Sequence, residues 1–89
     1  MKYHEIIAYR IQTLCNQRSL SINRLASMSG LNQSTIDNIM HGASQNPRLM
    51  TVHKIANAFS MTLAEFLDFP ELNEVSFEED LEDDGCHLL

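Results

Sequence analysis

The side chains most able to hold a metal or attack a substrate are four histidines, His4, His41, His53 and His87, and two cysteines, Cys15 and Cys86. Their spacing serves neither chemistry. The histidines fall into no ligand pattern, and the neighbours Cys86 and His87 supply only half of the ligands that a structural zinc ion takes. Cys15 belongs to an apolar helical face, where a thiol packs as a small hydrophobe. The chain has no glycine-rich phosphate loop and no nucleophile motif, so catalytic residues, a metal site and a cofactor are not expected. What stands out instead is the polar run Asn32-Gln33-Ser34-Thr35, with Asn38 one turn further on. Amides and hydroxyls exchange hydrogen bonds without reacting, which suits recognition.

Such groups need a rigid platform, and the sequence supplies short helices to build it. Ile7, Ile11, Leu14 and Cys15 recur at helical spacing over residues 4–17 and predict a first amphipathic helix. Ser21 is a good N-cap for a second, Ile22–Met28, with Leu25 and Ala26 facing inward and Met28 beside them. After Gly30, Asn32 caps a third helix, Gln33–Met40, whose apolar stripe is Ile36, Ile39 and Met40. Gly42 stops it, and residues 42–47 read as a loop. Thr51 is expected to cap a fourth helix, Val52–Phe59, burying Val52, Ile55, Ala56 and Phe59. Thr62 opens a fifth that runs to Leu67, and Pro70 marks the end of the domain. The expectation is an all-α domain over residues 1–69, built from five short helices, with residues 70–89 as a tail.

Charge divides the chain at the same place. The formal total is −6, yet residues 1–69 carry +2 and residues 70–89 carry −8 with no basic residue at all. The tail also holds Leu72, Val75, Phe77, Leu81, Leu88 and Leu89. It could therefore remain a solvated appendage, dock on the domain, meet another protomer, or form a short strand around Glu74–Phe77. No apolar run approaches the ~20 residues of a membrane span. The opening MKYHEIIAYR carries Glu5 and lacks the apolar stretch of a secretory signal, so the protein is expected in the cytoplasm with both thiols reduced.

Residues 21–41 fit a helix-turn-helix. That unit needs a small residue where its helices cross, a turn residue tolerant of left-handed backbone, and apolar anchors on both sides. Ala26, Gly30, and Leu25, Leu31 and Ile36 occupy those places. Its second helix must open with small or polar residues, because the first turn enters the major groove of DNA. Over residues 7–69 the chain resembles the phage-repressor and Cro-like (Xre) helix-turn-helix family of bacterial transcriptional regulators. The resemblance is carried by Arg10-Ile11, Leu25-Ala26, Gly30-Leu31, Ile36, Gly42, Pro47, Ile55-Ala56, Leu63 and Phe66-Leu67.

The resemblance implies a compact, lambda-repressor-like domain that binds double-stranded DNA as a homodimer and regulates transcription. It also implies roles. Gln33, Ser34 and Asn38 would contact base edges, Gln and Asn pairing with adenine in two-point fashion. Ser21, Asn32, Thr35, His41 and Gly42 would meet the sugar–phosphate backbone, and Arg48 would meet the backbone or enter the minor groove. The chain departs from the family pattern at Ile22, where many members have a phosphate-clamping Gln, and in the weakly charged loop 43–46. A coordinated departure pairs Cys15 with Met40, where members often carry an Arg and an acid; the two apolar residues are expected to meet across helices one and three. Two alternative functions use the same fold. One is an antitoxin whose acidic residues 70–89 bind a basic protein partner; the other is an interaction module that no longer binds DNA. The dimer surface is expected on the fifth helix and the tail.

Overall fold

Residues 3–44 and 46–75 are described by the computed structural model, and every regular element among them is helical. Helix α1 (Tyr3–Arg18) buries Ile7, Ile11, Leu14 and Cys15, the expected stripe, together with Ile6, which flanks it. It ends where Ser19 takes a φ of 54° and the Leu20 N–H closes back on the Cys15 carbonyl at 2.9 Å. A left-handed residue followed by such a bond satisfies carbonyls that the last turn leaves open. Helix α2 (Ile22–Ser29) starts on the Ser21 hydroxyl, which accepts the Arg24 N–H at 3.0 Å. It stops at Gly30, whose φ of 74° turns the chain so that the Leu31 N–H bonds the Ala26 carbonyl. Helix α3 (Gln33–Met40) follows directly.

Helix α4 (Leu49–Ala58) begins earlier than expected. Arg48 holds the N-cap position and Thr51 lies inside the helix, because Leu49 and Met50 are good helix formers and nothing after Pro47 delays the start. The helix ends in the same manner as α1, with Ser60 at φ 59° and the Met61 N–H on the Ala56 carbonyl. Helix α5 (Leu63–Leu67) opens on a reciprocal cap: the Thr62 hydroxyl accepts the Glu65 N–H, and the Glu65 carboxylate accepts the Thr62 N–H. A sixth helix, α6 (Pro70–Asn73), replaces the expected chain break and packs against α1. Proline at a first helical position has the right φ and lacks an N–H that would go unpaired, so Pro70 starts a helix. Six helices thus stand among the described residues where five were expected. Glu74 closes α6 onto the Pro70 carbonyl, so Glu74 and Val75 form no strand. Residues 76–89, with Phe77, Cys86 and His87, lie outside the described residues.

The core joins these helices through Ile11, Leu25, Ile36, Ile55, Phe59 and Phe66, each essentially inaccessible. Burying one such side chain contributes about 1.5–3 kcal/mol. The Phe59 and Phe66 rings stack at 6.3 Å between centroids. Cys15 is part of this cluster and Met40 packs against it, on helices α1 and α3 that touch. Two arginines close helix ends onto the core. Arg10 donates from Nε to the Phe66 carbonyl and from Nη2 to the Glu65 carbonyl, with its guanidinium 4.8 Å from the Phe69 ring centroid. Arg18 donates to the Phe59 carbonyl and lies 5.4 Å from that residue's ring. Cations at helix C-termini also oppose the negative end of the helix dipole. Among the described residues no helix is long and apolar enough to cross a membrane.

Candidate nucleic-acid interface

Helix α3 has two unlike faces. Ile36 and Ile39 are buried in the core, while Asn32, Gln33, Ser34 and Asn38 are exposed. The turn at Gly30 sets the start of α3 beside α2, and Ala26, buried on the inner face of α2, is small enough to allow a neighbouring helix to come close. Ile22 packs against the core, so its apolar side chain replaces a polar backbone contact with burial. Met28, expected beside the inward face, is 46% exposed instead. Only one stripe of this short helix can face the core, and Leu25 and Ala26 fill it.

The side chains along the exposed lip differ in how they are held. Asn32 sits at the N-cap position, yet its side chain makes no capping bond and is left to point outward. The Thr35 N–H bonds the Asn32 carbonyl at 3.0 Å, which leaves the remaining amides of the first turn available to an acceptor from outside. The Gln33 amide nitrogen donates to the Asp37 carboxylate at 3.2 Å. That bond orients the amide with one N–H and the carbonyl oxygen still free, the pair that adenine recognition needs. His41 caps the far end: its backbone N–H and its ring Nδ1 both meet the Asp37 carbonyl at 2.9 Å. The carbonyl can only accept, so Nδ1 is the donor in this contact.

Gln33, Ser34, Asn38 and Asn32 therefore share one outward surface, with Thr35 half-buried behind it and His41 and Gly42 at its end. Gly42 holds a φ of 80°, a backbone that few other residues adopt. Ser21 is exposed on the preceding helix, where its oxygen caps α2 while its hydroxyl proton can still donate outward. Arg48 is exposed at the head of α4, on a separate element. Two groups escaped the sequence reading. Asp37 was legible as the i+4 partner of Gln33. Arg24, an exposed cation on α2, carried no signal beyond its charge. Half-buried Arg10 and exposed Arg18 are both tied to backbone carbonyls, which leaves Arg24, Arg48 and Lys54 as the other exposed cations among the described residues.

A buried-backed helix with a polar outer lip, set by a tight turn against a capped partner, defines an all-helical domain of the helix-turn-helix class. The sequence profile of the Cro/C1-type HTH DNA-binding domain matches residues 10–71, and the chain belongs to that family. Among solved structures it is similar to prophage Lp1 protein 11, at 35% identity and a TM-score of 0.73, over 83% of this chain and 97% of that one. It is also similar to an HTH_3 family transcriptional regulator from Vibrio cholerae, at 29% identity and a TM-score of 0.68. That match spans 89% of this chain and 46% of the regulator. No curated protein sequence matches significantly.

Proposed function

We propose that the protein is a sequence-specific transcriptional repressor that acts in the cytoplasm, reading the major groove with α3 as a homodimer. In this reading residues 1–69 form the lambda-repressor-like DNA-binding domain and residues 70–89 an acidic tail. Gln33, Ser34 and Asn38 contact base edges. Ser21, Asn32, Thr35, His41 and Gly42 meet phosphate or sugar oxygens, and Arg48 meets the backbone or a narrow minor groove. The observation that carries the reading is the exposure of Asn32, Gln33, Ser34 and Asn38 on a helix whose opposite side is locked into the core. Family membership and the likeness to a solved transcriptional regulator support it.

Salt-titrated binding to random duplex DNA tests the first half: affinity should fall log-linearly with salt. Selection from a random DNA library tests the second, and should return a near-palindromic site with half-sites about one turn apart. A second reading, an interaction module of this fold, draws on the internal use of Arg10 and Arg18 and the packing of Ile22. Salt-independent or absent duplex binding would favour it.

A further inference from the structure

A groove of about 270 Å³ opens between the start of α1, the residues leading into α4, and the ends of α5 and α6. Its walls are mainly apolar and include Ile7, Pro47, Leu49, Val52, Leu67 and Leu72. Leu49 is 65% exposed at its edge, and the adjacent Met50 is 69% exposed. Leu63 and Leu67 of α5 pack against the core, so the most exposed large apolar side chains among the described residues are on α4 and not on the fifth helix, where a dimer surface was expected. Apolar surface left in water costs about 25 cal/mol per Å², and the groove is shaped to take an inserted side chain.

We infer that this groove is the docking site of the chain's own segment 76–89, with Phe77 as the side chain seated in it. Leu72 lines the groove, and Val75, three residues on, keeps its N–H on the Leu72 carbonyl. Phe77 is two residues further, within about 7 Å of extended chain from Val75. Behind it, residues 78–84 hold six carboxylates and no base. The opposite wall, Pro47 and Leu49, brackets Arg48, which is exposed and has no side-chain partner among the described residues. The acidic segment thus leaves the chain beside one wall of the groove, and a cation lies in sequence between two residues of the other. A tethered segment acts at an effective concentration in the millimolar range, so modest contacts suffice. A second copy of the chain is a poorer fit, because a stable interface buries roughly 1,200 Å² or more. Docking rests on the groove and the charge pattern; its consequence for DNA rests on the function proposed above. Carboxylates at Arg48 compete with phosphate, so the docked segment weakens DNA binding.

The test uses full-length protein with labelled methyl groups, in wild type, in Phe77→Ser, and in a variant combining Glu78→Gln, Glu79→Gln and Asp80→Asn. In Phe77→Ser the methyl signals of Ile7, Leu49 and Val52 should move by the same amount at every protein concentration. Affinity for random duplex at low salt should rise about 10-fold in both variants, as a cation is released to phosphate. Groove signals that stay put in Phe77→Ser overturn the docking, and so do shifts that depend on protein concentration, which would assign the groove to a second copy. Concentration-independent methyl shifts without duplex binding in any form keep the docking and reject the DNA reading. Duplex binding without methyl shifts does the reverse.

Discussion

Gln33 and Asp37 are joined across one turn of α3, the glutamine amide donating to the carboxylate at 3.2 Å on the outer side of the helix. This pairing sets a recognition group and a negative charge side by side. In the proposed reading, the carboxylate orients the amide for base contact and at the same time repels the phosphates on either side of the DNA groove. Discrimination and overall affinity therefore pull against each other at this position.

Replacing Gln33 by Ala should relax preference at one base position by ~1–3 kcal/mol. Asp37→Asn should act differently, raising affinity for random duplex while lowering discrimination at the position that Gln33 reads. Library selection and salt-titrated binding on the two variants check both outcomes. An unchanged selected sequence in Gln33→Ala removes that residue from the readout.

Arg10 and Arg48 carry the same charge and should behave oppositely. Arg10→Ala loses two bonds to carbonyls and its ring contacts, so urea unfolding should show a loss of ~1–3 kcal/mol. Its salt slope for DNA should stay as in the wild type. Arg48→Ala should leave stability within ~0.5 kcal/mol and reduce the salt slope by about one. A reduced slope in Arg10→Ala would place its guanidinium at the DNA.

Ala26→Leu tests the helix crossing. Ala26 is 4% exposed between α2 and its neighbours, and extra methylene groups there should cost ~1–3 kcal/mol by forcing the helices apart. Duplex affinity should fall with it, since the outward presentation of Gln33 depends on that crossing. Stability close to wild type in a thermal melt would mean that the crossing is looser than described.

Burial pushes the Cys15 thiol above its ordinary value of 9.0. The folded chain therefore favours the protonated form. The stability tied to this group is whole below the unfolded-state value and is lost as pH climbs through and past about 9. Comparison of Cys86→Ser with Cys86→Ser/Cys15→Val should show a steeper alkaline loss of the urea midpoint in the protein that keeps Cys15. Alkylation of Cys15 in the native state should be slow and should quicken on unfolding.

The sequence by itself determined the parts of this protein that depend on neighbours in the chain. The stripe Ile7, Ile11, Leu14 and Cys15, the caps Ser21 and Thr62, and the small–Gly–apolar signature of Ala26, Gly30 and Leu31 are local or periodic signals, and the helices formed on them. The polar run at Gln33 could be placed on the outer side of α3 because Ile36 and Ile39 had to take the inner one. Tertiary structure decided what no local pattern encodes. Arg10 and Arg18 are claimed by carbonyls 56 and 41 residues away, and only folding brings those acceptors within reach. The short helix that Pro70 starts is laid against α1, and Met28 is exposed because α2 has room for only one buried stripe. Helical periodicity reports which face turns inward; the use made of each charge is settled by distant parts of the chain meeting in space.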